Sequence, residues 1–248
     1  MKRLAIIGYG WLGRHIAHYF SDKYQIYTVN RKEDDENTDT HFCIDFDTRE
    51  PVETNTAINH ADTIIICLPF SQRTDRAQLT IRFNRLSQYI GNYNGQIFLT
   101  SSTGIYPQDK KLIDEITYHD TDLTPNLIQV ENQMKESYPQ INILRLGGLM
   151  GADRKLSNYS VKDTDQVVNH VHYSDVCRAI ETLIDRKVSA EIFNIVAPKH
   201  PSKQEVISFQ KNEPYTATPR SEDQRVISSD KIQTEQNFTF EKPNPKLF

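Results

Sequence analysis

The sequence predicts an α/β protein, a doubly wound parallel sheet with a small C-terminal substrate lobe. Three observations predict it. Through the first 150 residues, short β-branched runs alternate with segments whose apolar residues recur at helical spacing. One run, Asp62–Leu68, holds Ile64, Ile65 and Ile66 in succession, as a strand covered on both faces requires. The chain has only nine glycines in 248 residues, and they cluster: Gly8, Gly10 and Gly13 near the start, Gly147, Gly148 and Gly151 later. Glycine used so sparingly marks places where a side chain would be in the way.

Taken in order, Arg3–Ile7 reads as the first strand. Trp11–Phe20 reads as the helix after it, with Leu12, Ile16, Tyr19 and Phe20 at helical spacing. Gln25–Val29 is the next strand, followed by a polar, acidic loop from Arg31 to Thr40. His41–Asp45 and Asp62–Leu68 are further strands, with a weak helix over Arg49–Asn59 between them. Ala77–Ile90 is a stronger helix, carried by Leu79, Ile81, Phe83, Leu86 and Ile90. Gln96–Ser101 is a strand, Asn126–Ser137 a helix and Ile141–Leu146 a strand. Such alternation folds as right-handed βαβ units. Beyond Gly151 the pattern loosens. Val167–Val171 reads as a strand, Asp175–Asp185 as a helix capped by Ser174, and Glu191–Val196 as a strand. Ser202-Lys203-Gln204-Glu205 is a capping box opening a helix through Phe209. From Lys211 the chain is polar and carries Pro214, Pro219, Pro243 and Pro245, so a loosely ordered segment is expected. The expected division is residues 1–150 for the core and 151–248 for a smaller α+β lobe, parts of which can rejoin the core.

Composition excludes several classes. Hydrophobic residues at 37 % and charged ones at 25 % are those of a folded chain. The net charge of −4 and pI of about 6.1 give no basic field for nucleic acid or anionic lipid. No apolar run approaches the ~18 residues of a membrane span, and Gly8, Gly10 and Trp11 interrupt the N-terminal run before a signal-peptide core forms. Cys43, Cys67 and Cys177 lie far apart in apolar settings, without metal-ligand spacing. They read as buried thiols of a protein in a reducing cytoplasm, with no metal site.

Gly8-Tyr9-Gly10-Trp11-Leu12-Gly13 is G-x-G-x-x-G placed directly after a strand and opening a helix. The first glycine makes the tight turn, the second admits a pyrophosphate to the backbone, and the third allows close helix–strand packing; the anion then meets the amides of the helix N-terminus. The pattern predicts a dinucleotide. A NAD site places Asp or Glu near the end of the second strand, to hold the ribose 2′-hydroxyl. Here stands Asn30-Arg31. Asn30 carries no charge to repel a 2′-phosphate and Arg31 can clamp one, so NADP is preferred over NAD. The alternative has Arg31 pointing to solvent, and Glu33 and Asp34 lie close by. Cys67-Leu68-Pro69-Phe70 ends the fourth strand on the expected path of the cofactor, which adds Leu68 and Pro69 to the candidate contacts. Cys67 has no cation near it in sequence and reads as a small core residue.

Four segments beyond the fingerprint carry a resemblance: Thr100-Ser101-Ser102-Thr103-Gly104-Ile105-Tyr106-Pro107, Ile143–Gly151 with Arg145 at its strand end, Asn169-His170-Val171-His172-Tyr173-Ser174-Asp175-Val176, and Phe193-Asn194-Ile195. In this order they resemble the extended short-chain dehydrogenases/reductases, the NAD-dependent epimerase/dehydratase group, over residues 1 to about 210. The resemblance implies a Rossmann-type fold, a nicotinamide cofactor and a small polar or sugar-derived substrate. In that family a Tyr-x-x-x-Lys pair moves the proton while hydride passes to or from nicotinamide, and a Ser or Thr helps hold the substrate oxygen. Around the helix over Asn126–Ser137 the pair is missing. Glu131 and Lys135 have the spacing without the tyrosine, and the better register puts the pair on Leu123 and Leu127. The chain is therefore similar to an atypical member that lacks the usual acid/base.

Ser102, with Thr103 beside it, matches the family's Ser/Thr at the end of a central strand and is the catalytic candidate; capping of the next turn is the competing reading. Tyr106, Arg145 and His172 are the substrate-binding candidates. For Arg145 a buried ion pair competes with anchoring a substrate anion, and for His172 a structural role is favoured. Two readings stay open: an NADP-dependent oxidoreductase or epimerase-like enzyme, and a cofactor-binding sensor without turnover. Helices Ala77–Ile90 and Asn126–Ser137 offer a homodimer surface, as the equivalent helices of the family do.

Overall fold

In a computed structural model, described over residues 1–32, 40–215 and 223–248, the predicted alternation is present. The order is β1 Lys2–Ile7, α1 Trp11–Phe20, β2 Tyr24–Asn30, β3 His41–Cys43, α2 Thr56–Asn59, β4 Thr63–Ile66, α3 Arg76–Ile90 and β5 Gln96–Ser102. It continues with β6 Leu112–Ile113, α4 Pro125–Ser137, β7 Asn142–Leu146, β8 Gly148–Met150, β9 His170–His172, α5 Tyr173–Asp185, β10 Ile192–Ile195, α6 Lys203–Lys211, β11 Val226–Ile227 and α7 Asp230–Glu235. Seven strands form one sheet in the order β10-β7-β5-β4-β1-β2-β3. The pairs β1–β2, β1–β4, β2–β3 and β4–β5 are parallel, with Ile6 opposite Thr28 on one side and Ile65 on the other. The strand order reverses between β1 and β4, the switch point at which doubly wound sheets bind their ligands. This is the Rossmann-type α/β fold that the sequence predicts.

The chain sorts into two compact units that interleave in sequence. The first comprises Met1–Ser101, Leu123–Leu144 and Ile184–Ile192; the second comprises Ser102–Asp122, Arg145–Leu183 and Phe193–Phe248. Neither unit ends at residue 150, because the chain leaves the first after β5 and returns to it in α4. In the first unit, Ile64 and Ile66 of β4 and Leu79, Phe83 and Leu86 of α3 pack in one apolar core with Val130 and Met134 of α4. Helices α3 and α4 lie side by side there, Gln129 and Gln133 donating to Thr80 and Asn84. Among the described residues no helix is long and apolar enough to cross a membrane.

Four expectations are corrected. Arg49–Asn59 is helical only from Thr56: Pro51 biases its predecessor to extended backbone, and Asn55 caps the single turn by accepting from the Ile58 amide. The strand expected over Val167–Val171 is confined to His170–His172, while Val167 forms only an isolated bridge with Ser202. Ser174 lies inside α5 rather than capping it; its amide donates to His172 Nδ1, and its hydroxyl lies 2.6 Å from the same atom. The polar C-terminal segment, where described, is tightly held. Ile232 is fully buried, Phe238 and Phe240 nearly so, and the buried Asp175 carboxylate accepts the amides of Glu241 and Lys242 at 2.9 and 2.8 Å. The acidic loop at Glu33–Glu36, with Asp34, lies outside the described residues.

Candidate functional site

In the first unit the turn from β1 into α1 is shaped by its glycines. Gly8 has φ +104°, and a Cβ there would stand 2.6 Å from the Cys67 carbonyl carbon. A Cβ on Gly13 would stand 2.3 Å from the Gly8 oxygen. Both glycines are demanded by the chain's own backbone. Gly10 is different: it is exposed, caps α1 without a side-chain hydrogen bond, and among the described residues a Cβ there would meet nothing within 4 Å. The Gly8 and Tyr9 amides both donate to the Val29 carbonyl, which ties the turn to the end of β2. Leu12 is buried beneath the turn, and the half-buried Trp11 packs edge-on against His15 at 4.6 Å.

Gly8 and Gly10 open onto a cavity of about 230 Å³ whose walls include Asn30, Arg31, Phe46, Leu68 and Pro69. Thus most of the predicted cofactor contacts line one cavity at the switch point, with Arg31 exposed at the end of β2. Cys67 also lines it and is half-buried rather than a core thiol; desolvation pushes its thiol up to about 12, which does not suit a nucleophile. Cys43 departs from expectation, for it is exposed, its thiol donating to the Arg31 carbonyl at 3.3 Å.

Sequence reasoning missed the polar half of this cavity. Asp47 receives Arg82 in a two-pronged pair, Nε to Oδ1 at 2.7 Å and Nη2 to Oδ2 at 2.8 Å, and Gln78 Nε2 adds a third bond at 2.9 Å. The Arg82 bond holds the Asp47 carboxyl below its usual range, assisted by Gln78 and the charge of Arg31. Arg82 Nη1 donates on to the Pro69 carbonyl at 2.6 Å, bracing the loop after β4. No local signal could have joined residues 35 positions apart.

The catalytic and substrate candidates lie in the second unit, and most are already engaged. Ser102 Oγ accepts the Gly104 amide at 3.0 Å, so it caps the turn after β5. Thr103 is buried, and its carbonyl accepts Arg225 Nη2 at 2.9 Å. Tyr106 is fully buried: its hydroxyl donates to Asn194 Oδ1 at 2.8 Å and accepts from Arg145 Nη1 at 3.0 Å, with the guanidinium 5.1 Å from its ring centre. Burial raises its pKa. His172 packs on Tyr173 and on Phe248, 4.5 and 5.4 Å between ring centres. The Tyr-x-x-x-Lys spacing does occur in the chain, though away from α4. Tyr19 and Lys23 stand at the end of α1, the ammonium 5.9 Å from the ring. Tyr106 and Lys110 share the spacing too, the one hydroxyl buried as above, the other side chain exposed. Leu123 and Leu127 are buried, and Glu131 accepts Ser101 Oγ at 2.7 Å in the interior of the first unit.

The second unit has its own pocket of about 360 Å³, walled by Thr103, Lys110, Asn169, His170, Lys203 and Arg225 among others. Of the sequence candidates only Thr103 reaches it.

Comparison with known proteins fits this architecture. The family model described as "NADP oxidoreductase coenzyme F420-dependent" matches residues 3–85, the stretch that holds the glycine turn and Arg31. Protein YeeZ of Escherichia coli K12 is 27 % identical, over 99 % of this chain and 98 % of its own. A functionally unknown conserved protein from Silicibacter pomeroyi superposes with a TM-score of 0.74 at 17 % identity, covering 100 % of this chain and 96 % of its own. The human epimerase family protein SDR39U1, solved with NADPH, superposes with a TM-score of 0.69 at 9 % identity, covering 98 % and 96 %. Both structural likenesses establish the fold.

Proposed function

We propose that the chain is an NADP-binding oxidoreductase or epimerase-like enzyme that acts on a small polar, sugar-derived substrate without the usual tyrosine acid/base. Gly10 carries the reading. Its neighbours Gly8 and Gly13 are glycine because backbone atoms crowd them, whereas Gly10 faces open space at a helix N-terminus. A glycine that the fold does not require is explained by an incoming group, and a pyrophosphate suits the free helix end. Gly8, Gly10, Trp11, Leu12 and Gly13 would cradle it, Leu68 and Pro69 would flank it, and Asn30 and Arg31 would take the 2′-phosphate. The family model over residues 3–85 and the NADPH of the human structure support the choice of nucleotide. A bound nicotinamide supplies reversible hydride exchange; the chain's part is to hold it and position a substrate. Ser102 and Thr103 remain the proposed contacts to the substrate oxygen.

The second reading, a cofactor-binding sensor without turnover, is favoured by one observation: the Ser102 hydroxyl is engaged in a cap, and Tyr106 and Arg145 are engaged with each other. Melting temperature against NADPH and NADH tests the cofactor assignment. NADPH should stabilise more than NADH, and Arg31→Glu should remove the difference; equal stabilisation by the two would end the role given to Arg31. NADPH oxidation against a panel of carbonyl compounds and nucleotide sugars, with Ser102→Ala as control, separates the enzyme from the sensor.

A further inference from the structure

We propose that the pocket of the second unit binds the oxyanion, phosphate or carboxylate, of a small molecule through Lys110, Lys203 and Arg225. The inference deepens the substrate side of the proposed function: it rests on reading this unit as the substrate lobe and owes nothing to the dinucleotide.

The charge of the lining comes first. Among the described residues the pocket wall carries these three cations, its other polar side chains are neutral, Thr103 and Asn169 among them, and no carboxylate lines it. In a chain of net charge −4 this runs against the average. The carboxylate next to Lys110 in sequence, Asp109, accepts the Tyr118 hydroxyl and lies 4.0 Å from Lys111, and its charge also acts on Arg225.

Two of the cations, Arg225 and Lys203, are moreover held by neutral acceptors. Arg225 donates Nε to the Pro107 carbonyl at 3.0 Å and Nη2 to the Thr103 carbonyl at 2.9 Å. Lys203 Nζ donates to the Lys162 carbonyl at 3.1 Å and to Gln166 Oε1 at 2.7 Å. All of these acceptors are neutral, so the bonds fix Arg225 and Lys203 in place without an ion pair. Charge-assisted hydrogen bonds to an oxyanion are roughly twice as strong as neutral ones, which makes such an array selective for anions.

His170 is the third observation. Its imidazole lies against Gly148, where a Cβ would stand 2.4 Å from Cδ2, so the glycine makes room for the ring. Its Nδ1 is buried without a hydrogen-bond partner. Burial, with the charge of Lys203, pulls its pKa down to about 4, which keeps the ring uncharged at neutral pH. The ring is thus a neutral, fixed part of the pocket wall.

Titration calorimetry of the full chain with inorganic phosphate, and separately with succinate, tests the proposal. Saturable binding of either is expected. Binding of phosphate alone assigns a phosphate ester, binding of succinate alone a carboxylate, and binding of both a shared oxyanion site. Lys203→Gln should weaken the interaction about tenfold or more, and so should Lys110→Gln, whose exposed side chain is dispensable for folding. No saturable binding of either anion overturns the proposal, even if NADPH stabilises the chain. Binding that survives both lysine substitutions overturns it too, because the anion then sits elsewhere. Anion binding with no response to NADPH sinks the dinucleotide reading and leaves this one standing.

Discussion

Gly10 differs from the glycines on either side in what would object to a side chain. At Gly8 and Gly13 the objection comes from the chain, so these positions report on folding. At Gly10 none of the described residues objects, so this position reports on binding. Arg82 and Asp47 show the complementary case, a pair that no motif announces but that fixes the cavity wall by two hydrogen bonds. Their effect on stability has a definite sign. The folded pKa of Asp47 is lowered, chiefly by the Arg82 bond, so its contribution is fully present above the unfolded value of about 3.9 and is lost as pH falls through the folded pKa. Asp47→Asn should therefore cost about 1 kcal/mol near neutral pH, discounted for partial exposure. Denaturant unfolding at pH 7 and below pH 3 checks this: the variant and the parent should converge at acid pH. A constant gap across that range would contradict the assignment.

The elements best legible in the sequence were those whose burial follows one period. Helices α1 and α3 and strand β4 show it plainly: α1 buries Leu12, Ile16 and Phe20 along one face, α3 packs Leu79, Phe83 and Leu86 on Ile64 and Ile66, and β4 is buried on both faces. Strand–helix alternation then left few topologies, and the sheet order follows from them. What was not legible depends on partners distant in sequence. Arg49–Asn59 had helical composition, but Pro51 and the Asn55 cap allow only one turn. Ser174 looked like a cap until His172 took its amide. The C-terminal segment looked unstructured because its anchor, Asp175, is an acid in a helix far upstream. The candidate site divides the same way. Its glycine turn is local and could be read directly. Its Asp47–Arg82 wall and the cationic pocket of the second unit are assembled from residues separated by tens of positions, and only folding brings them together.

Over the whole molecule the charge is distributed unevenly, and that unevenness carries more than the net value. A chain of net charge −4 keeps a pocket walled by Lys110, Lys203 and Arg225 in one unit and an arginine beside the glycine turn in the other. Asp175 is the clearest case of a charge used for assembly. Fully buried, it holds two C-terminal amides and Arg178 at 3.1 Å. Asp175→Ala would leave the two amides without their acceptor, Arg178 keeping Glu241 and the Thr239 carbonyl, and a loss of about 2 kcal/mol is expected. Limited proteolysis should then cut the C-terminal segment selectively; resistance equal to that of the parent would argue against the anchor. The central claim, a dinucleotide on the glycine turn, is tested most directly by melting Gly10→Val with and without NADPH. The parent should gain about 5 °C or more at a hundredfold excess over Kd. The variant, whose new side chain meets nothing in the fold, should melt within a few degrees of the parent and gain nothing from NADPH. An equal gain in both proteins would contradict the account.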